Sequence, residues 1–510
     1  MSGFSKYRQR QMIANFQASR VLLFFACLTC LLMAGCAVGP NFKRPAVPAV
    51  NDYIDHPISN TITTTNVTGG EAQHFAKGSD IAGDWWTLFH SQPLNELIEL
   101  ALTNNPDLKA AHAALSVARE NVLAQRGVYF PSVTGSFSAA RQKQPETLAP
   151  VPSSNAFQYN LFTPQVSVSY SPDVFGLNRR TVESVKAQEQ NIRFQMIAAY
   201  TTLTANVVVT AIQSAAVQAQ IDATRQLVDL NSNMVEILRY QYTKGYAGRL
   251  DVVAQESQLA QVVATLPPLI KQAAQLRDLL AVLAGRFPNQ SQAENFELSS
   301  LQLPVEIPVS LPSQLVAQRP DVLQAEANLH AASAQIGIAI ANRLPNITLT
   351  ADAGSTALSL DKVFSSGTGF WGLGAAATAP LFQGGQLLHQ ERAAKAAYTQ
   401  AAEQYRSTVL TAFQNVADTL AALEQDADGL KAAATAADDA KETLDLSQRQ
   451  WKDGYISYLA LLSAEQAYQQ ARINLVQAQA NRFADTAALF QALGGGWWHR
   501  ADLTKDKNEK

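Results

Sequence analysis

The chain has 510 residues and a formal net charge of −3, and only 16% of its residues are charged. Soluble domains carry about 25% charged residues, so long surfaces of this chain are expected to face another chain or a polar lumen. The near-neutral balance, without a basic stripe, excludes a nucleic-acid-binding protein.

Residues 1–35 have the pattern of a secretory signal peptide. Four basic residues and no acidic residue precede the apolar run VLLFFACLTCLLMAG. The run is too short for a comfortable transmembrane helix, although an uncleaved N-terminal anchor is the alternative. Removing the segment takes the formal charge from −3 to −7, because it deletes Lys6, Arg8, Arg10 and Arg20.

Cys36 follows the signal and is the last cysteine of the chain. The sequence LMAGC (32–36) resembles the bacterial lipoprotein box, with Met33 where leucine is usual. The resemblance implies cleavage before Cys36 and acylation of its thiol, and Ala37 implies sorting to the outer membrane. Each buried CH₂ of the attached chains adds about 0.8 kcal/mol, so a triacylated cysteine anchors firmly. The alternative is an incidental thiol.

The mature chain contains a duplicated unit of about 210 residues. Three pairs of similar stretches occur in the same order: those that begin at Pro106 and Pro320, then 169–180 and 377–388, then 242–256 and 451–465. This period is far above that of solenoid repeats. We therefore predict an extended N-terminal segment at 36–90, a first repeat at 91–300, a second at 301–493 and a C-terminal tail at 494–510.

Each repeat contains two segments in which apolar and small polar residues alternate, typical of strands. They predict one β-hairpin at about 129–172 and another at about 344–382. The apolar sets are Val133, Gly135, Phe137 and Ala139; Phe162, Val166, Val168 and Tyr170; Ile347, Leu349, Ala351 and Ala353; and Trp371, Leu373, Ala375 and Ala377. Ordinary surface hairpins are the alternative.

A very long helix follows each hairpin. Residues 173–242 contain no proline and one glycine, and so do residues 386–451. At 1.5 Å per residue each would be about 100 Å long, as in coiled coils and bundles. A Gly-Tyr pair ends each helix, and another helix follows. The mature chain shows no 18-residue apolar run, so we expect no helix to span a membrane.

Four strands with one apolar face can cross a membrane only in a closed barrel, because an open edge in lipid leaves backbone groups unpaired. Four strands are too few to close. Two chains would give eight strands and a filled interior, whereas three give twelve strands and a lumen. Small polar inner faces favour three chains.

The chain resembles the TolC-like outer-membrane efflux channels, specifically their lipoprotein (NodT-type) branch. The resemblance covers nearly the whole mature chain, in order, through CAVGPNFKRPAVP (36–48), DWWTLFHSQPLNELIELALTNNPDL (84–108), SPDVFGLN (171–178), KGYAGRLDVVAQE (244–256), QRPDVLQAEANLHAA (318–332), LPNITL (344–349), APLFQGG (379–385), DGYISYLALLSAEQ (453–466) and QALGGGWW (491–498).

The resemblance implies an α+β fold in which a trimeric outer-membrane β-barrel, with four strands per chain and twelve in total, continues into a long α-helical coiled-coil tunnel in the periplasm. It implies the exit duct of a tripartite efflux system for drugs or toxic metabolites. The implied partners are two further copies of the chain, a periplasmic adaptor protein, an inner-membrane pump of the RND type and outer-membrane lipid.

In that family the Gly-Tyr breaks are the periplasmic tips of the helical hairpins, since glycine permits the chain reversal. The resemblance implies a site for adaptor docking and for the aperture, formed by Gly245, Tyr246, Leu250, Asp251, Gly454, Tyr455, Leu459 and Ser463. The family often has acidic residues after the second tip, where this chain has Ala460 and Ser463. Leu459 would then form a hydrophobic constriction. The alternative is that the breaks are only turns.

We expect no enzyme, because the seven histidines are scattered and no HExxH, GxxxxGK or GxSxG pattern occurs. We therefore predict no catalytic residue, no metal site and no cofactor apart from the covalent lipid on Cys36. Two other functions stay open. One is an outlet for type I protein secretion. The other is a lipid-anchored helical scaffold without a pore, which would not need the strand aromatics Phe137, Phe162 and Trp371.

Overall fold

The computed structural model describes residues 37–143, 145, 158–290 and 296–504. The predicted signal peptide and Cys36 lie outside these residues. The chain divides into two compact units. We call the first the strand unit and the second the helical unit: the strand unit contains the described parts of Met1–Arg44, Ser116–Gln190 and Glu326–Glu403, and the helical unit those of Pro45–Leu115, Asn191–Ala325 and Gln404–Lys510. Each unit takes residues from both predicted repeats.

The described helices repeat in length as well as in order. They are α1 Gln92–Asn104, α2 Pro106–Arg126, α3 Leu177–Thr243, α4 Arg249–Leu283, α5 Pro312–Gln318, α6 Pro320–Ala341, α7 Gln386–Lys452, α8 Tyr458–Ala492 and α9 Ala501–Thr504. Helices α3 and α7 both have 67 residues, and α4 and α8 both have 35. The two predicted long helices are confirmed, and their equal lengths agree with an internal duplication.

The strands form two sheets. They are β1 His74–Lys77, β2 Ser132–Lys143, β3 Gln158–Tyr170, β4 Glu306–Val309, β5 Asn346–Ser355 and β6 Gly369–Thr378. Strands β1 and β4 pair in parallel within the helical unit. The other four form an antiparallel sheet in the strand unit, in the order β2-β3-β5-β6. Both predicted hairpins are therefore confirmed, and β3 and β5 join them into one sheet.

The register of this sheet puts all four predicted apolar sets on one face. Val133 lies opposite Val168, which lies opposite Ala351, which in turn lies opposite Leu373. Residues directly opposite in an antiparallel pair share a face, and every second residue along a strand returns to it. The other face carries mainly Ser, Thr and Gly. The alternation read from the sequence thus becomes one apolar and one small polar surface.

A cluster of aromatic residues lies in the core of the helical unit. Trp85 and Trp86 are buried, and the Trp85 ring stacks on Phe490 with 5.1 Å between centroids. Phe89 packs against Phe483 at 6.3 Å. The segment before α1 is thereby fixed onto α8.

One described helix meets the length and composition of a membrane span, which the sequence analysis did not find. An 18-residue window of α3 has a mean hydropathy of 1.3 with few charged residues. The window is 67% buried inside the structure. Because a core helix has the same composition, we attribute its apolar character to packing against neighbouring helices.

Candidate functional site at the helical tips

The first tip is a tight turn at the C-terminus of α3. Gly245 has a φ of +80°, in the left-handed region. Its N–H donates to the carbonyl of Tyr242 at 3.0 Å, and the N–H of Tyr246 donates to the carbonyl of Gln241 at 2.9 Å. These two bonds define a Schellman cap, which satisfies carbonyls that the end of a helix leaves free.

The second tip repeats this geometry at the end of α7. Gly454 has a φ of +81° and donates to the carbonyl of Trp451 at 3.0 Å, while Tyr455 donates to that of Gln450 at 2.8 Å. No other part of the described structure lies within 4 Å of a Cβ placed on either glycine. Glycine is thus required by backbone conformation rather than by crowding.

Large apolar and aromatic side chains surround both turns and point outward. In the chain Tyr246 is 84% exposed and Tyr455 is 81% exposed. Leu250 and Leu459, in the first turns of α4 and α8, are 80% and 67% exposed. Monomeric proteins rarely group such residues at their surface. The structure therefore gives the two tips an equivalent pair of side chains each, a tyrosine and a leucine.

The predicted polar residues of the site bond within their own tips. A carboxylate oxygen of Asp251 accepts the backbone N–H of Gly248 at 3.0 Å, which caps the start of α4. The Ser463 hydroxyl donates to the carbonyl of Leu459 on the same helix at 3.0 Å. In α8 the cap is Ser457, whose hydroxyl accepts from the N–H of Ala460. Asp251 therefore stabilises the turn by capping α4, and its role at an aperture stays a prediction.

Beneath the turns, four helices share one apolar cluster, which we call the tip core. Its buried members are Met234, Leu238, Val252, Leu444, Tyr458, Leu461, Leu462 and Ala464. They come from α3, α4, α7 and α8. The Trp451 ring meets Tyr458 edge-on at 6.0 Å. The tip core packs the helices of both tips together, so a change at one turn also affects the packing of the other.

Polar side chains that were not predicted from the sequence are buried next to the tip core. The Gln255 amide donates to the side-chain oxygen of Asn231 at 2.9 Å, and Asn231 donates to the carbonyl of Leu227 at 2.7 Å. Gln466 donates to the buried Gln258 at 2.7 Å. This last bond links the two helical hairpins, because α4 belongs to the first and α8 to the second.

Glu465 is the exception in this layer. Its side chain is almost fully buried, and neither carboxylate oxygen has a hydrogen-bond partner among the described residues. Burial raises the pKa of Glu465 to about 7, against a smaller opposing effect of the nearby Gln255 amide. The Tyr458 hydroxyl is also buried without a partner in the described structure, and burial raises its pKa. A buried carboxyl of this kind favours its neutral form.

A second feature concerns the residues that follow Cys36, which itself lies outside the described residues. The buried guanidinium of Arg180 donates to the carbonyls of Val38 at 3.0 Å and Gly39 at 3.2 Å, and to the side chain of Asn41 at 2.8 Å. It also pairs with Glu183 at 2.7 Å. Residues 38–41 are thus held against the start of α3. We call residues 37–44 the strap.

The remainder of the strap is held by a ring contact and an ion pair. Phe42 stacks on His330 with 4.3 Å between centroids, and His330 Nε2 lies 3.0 Å from a carboxylate oxygen of Glu183. Arg44 Nε lies 2.8 Å from both oxygens of Glu326. Residues 38–44 of the strap are therefore held in a fixed position on the strand unit.

Among the described residues no group of three or more His, Cys, Asp or Glu side chains is arranged to hold a metal ion. The tip presents aromatic, aliphatic and amide groups, which suit protein contact more than chemistry.

Comparison with known proteins covers nearly the whole chain. The family model described as "Outer membrane efflux protein" matches residues 97–286 and 311–495. The antibiotic efflux pump outer membrane protein ArpC of Pseudomonas putida is 28% identical over 477 residues, which cover 93% of this chain and 95% of that protein. The toluene efflux pump outer membrane protein TtgC, also of P. putida, has the same identity and coverage.

The solved outer-membrane channel OprN matches with a TM-score of 0.80 at 24% identity, over 91% of this chain and 100% of that one. The predicted fold class is thereby confirmed. The family and relatives confirm the predicted function as an outer-membrane efflux channel and the location in the outer membrane. The matched family is one of efflux channels, and its description names no enzymatic activity.

Proposed function

This chain belongs to the outer membrane efflux protein family, and from that membership we propose that three copies close a twelve-stranded barrel through which small molecules leave the cell. The observation that carries the proposal is the four-stranded sheet. Its register puts one apolar and one small polar surface on opposite faces. An apolar face suits lipid and a small polar face suits a wet lumen.

The edges of this sheet support assembly. Within the described chain, β2 pairs only with β3, and β6 pairs only with β5. Unpaired backbone groups in lipid cost several kcal/mol each. Joining β6 of one copy to β2 of the next removes both edges. Twelve strands leave an interior wide enough for water and solutes, whereas eight strands fill it with side chains.

Small, largely apolar organic molecules are the proposed substrates. The two quoted relatives are named for toluene and antibiotic efflux. Their names favour compounds of this class over exported polypeptides.

A periplasmic adaptor is the proposed partner of the tips, and an inner-membrane pump of the RND type is the proposed partner beyond it. The support is the exposure of Tyr246, Leu250, Tyr455 and Leu459 beside two turns that have the same backbone geometry. Two equivalent tips per chain would offer a trimer six similar docking positions. Aperture opening by separation of the tip helices belongs to the same proposal.

Lipid attachment at Cys36 is proposed as a second membrane anchor. Its support is the lipoprotein box together with the strap, which holds the next residues by Arg180 and Glu326. The barrel alone should retain the protein in the outer membrane, and the lipid would add to it.

Export by whole cells tests this function. A strain that lacks its own outer-membrane channel, and that supplies a matching pump and adaptor, should regain resistance to toluene or antibiotics when it expresses this chain. Purified complex should also conduct ions across a planar bilayer. Full membrane insertion without conductance, even with pump and adaptor present, would contradict the proposal.

A further inference from the structure

The buried layer beneath the tips contains an ionisable group with no described partner. Glu465 lies on α8, in sequence directly after the tip-core residue Ala464. Burying a carboxylate without a partner is costly, and proteins usually avoid it or keep the group neutral. The nearby residues Leu461, Leu462 and Ala464 are apolar, so packing of this part of α8 does not itself require a carboxyl. A carboxyl buried here therefore needs a functional explanation.

We propose that Glu465 is a proton-controlled latch of the helical tip: the neutral carboxyl permits close packing of α3, α4, α7 and α8, and its ionisation draws water in and loosens them. The proposal rests on the tip being the aperture of the channel. Glu465 is a positioning residue in this scheme and touches no substrate.

The groups around Glu465 cannot neutralise its charge. From α4 the polar neighbour that acts on Glu465 is the Gln255 amide, which lowers the pKa of that carboxyl by less than burial raises it. The N–H of this amide donates to Asn231 of α3, and its oxygen is buried without a partner among the described residues. From α8 itself the titratable neighbour is the buried Tyr458. Asp251, at the start of α4, accepts the backbone N–H of Gly248 in its helix cap and supplies no positive charge.

The positively charged side chains at this level of the tip are either ion-paired or exposed to solvent. Arg239 of α3 pairs with Glu256 of α4 at 2.8 Å, on the outside of the hairpin. On α7 the charged residues beside the core residue Leu444 are exposed: Lys441, Glu442 and Asp445. No ion pair to Glu465 occurs in the described structure. Ionisation inside the packed tip therefore has no compensation except water.

The direction of the pH effect follows from linkage. The packed tip binds the proton of Glu465 more tightly than a hydrated, separated tip, in which a glutamate titrates at about 4.3. The packed state has a pKa of about 7. Between these values the ratio of separated to packed tip rises by up to about tenfold per pH unit. Packing is thus strongest in acid and weakens as the pH rises towards 7.

The test uses the full-length complex in detergent with Glu465→Gln, which keeps the size and removes the charge. Hydrogen exchange of peptides spanning 458–468 is measured at pH 5 and pH 7.5, always relative to wild type at the same pH. We expect Glu465→Gln to be protected over wild type by tenfold or more at pH 7.5 and by much less at pH 5. Glu442→Gln, an exposed acid on α7, is the matched control and should equal wild type at both values.

A second variant, Glu465→Met, keeps the test decisive if an amide at this position impairs assembly. It should show the same protection, because an apolar side chain of similar length also cannot ionise. Equal exchange of wild type and both variants at each pH would overturn the latch.

Bilayer conductance separates the latch from the proposed function. A pH-dependent conductance in wild type that both Glu465 variants lose supports the latch and the aperture together. Exchange that responds without any change in conductance leaves the latch standing and refutes the tip as the aperture. Conductance that responds while exchange of the variants equals wild type overturns the latch.

Discussion

Replacing Gly454 with alanine changes one backbone preference and nothing else in the tip. No other part of the described structure lies within 4 Å of the added Cβ, so the substitution creates no clash. The residue must still adopt a φ of +81°. An L-residue in the left-handed region costs about 1–2 kcal/mol. The structure thus separates conformational strain from bulk at this position.

That strain is large enough to reshape the turn in a measurable fraction of molecules. A cost of about 1–2 kcal/mol changes an equilibrium by a factor of about 5–30. Leaving the left-handed conformation breaks the two bonds from Gly454 and Tyr455 to the end of α7. Tyr455 and Leu459 would then lose their fixed positions. The tip core below holds four helices together and should survive.

The assay compares Gly454→Ala with Gly454→Asn, since asparagine tolerates the left-handed region. We expect normal outer-membrane levels of the complex for both. Gly454→Ala should reduce adaptor cross-linking and export severalfold, while Gly454→Asn should stay near wild type. Gly454→Trp should match alanine in strain and add bulk at the docking surface, so it should abolish export. Gly245 should behave in the same way.

Equal export by the alanine and asparagine variants would refute the role of backbone strain. Normal export by Gly454→Trp and its Gly245 counterpart together would show both breaks to be mere turns. A loss of assembled complex would instead put the turn in the folding core and remove the docking assignment.

Three further outcomes are expected. Mass spectrometry of the purified N-terminus should show a chain that begins at an acylated Cys36, and a free thiol or an intact Met1 would contradict lipidation. Arg180→Met should release the strap at a cost on the order of 3 kcal/mol, seen as new protease cleavage in residues 37–44, whereas the more exposed Arg179→Met should leave the strap protected. Burial, with the neighbouring Asp485 carboxyl, raises the pKa of Asp426 to about 7, so thermal stability should fall as the pH rises from about 4 to 7. Asp426→Asn should reduce that slope, to which Glu465 also contributes, and an unchanged slope would refute this assignment.

The strands and tips could be predicted because their signals are local. A two-residue period puts alternate side chains on one face wherever the strand pairs, so the sequence predicts the same kind of face for Val133 and Leu373 whatever their pairing. The Gly-Tyr pairs that begin at 245 and 454 likewise mark the ends of the long helices, because this signal is also local. The duplication added a second, independent copy of each signal.

The pairing of β1 with β4 could not be predicted. Each strand has only four residues, too few to show a period, and His74 meets Glu306 across more than two hundred residues. The strap is similar, because Arg180 looks like any charged residue of a helix until the carbonyls of Val38 and Gly39 lie beside it. Contacts of this kind depend on long-range folding and leave no pattern in a single sequence.

Glu465 was missed for a further physical reason. Glutamate on a long helix is nearly always at the surface, and its neighbour Gln466 is exposed. Its burial results from four helices meeting at one level, which no single helix reveals. The converse holds for Asp251, because an acid three residues after a glycine at the helix start is itself a capping signal, which the sequence shows beside its predicted role at the aperture.

Native mass spectrometry of the complex extracted in mild detergent tests the assembly most directly. The sheet contributes four strands per chain and leaves β2 and β6 each paired on one side in the described structure. The expected result is a single species with the mass of three mature chains, each carrying its lipid, that withstands dissociation in mild detergent. A monodisperse monomer or dimer that still conducts across a bilayer would contradict the twelve-stranded barrel.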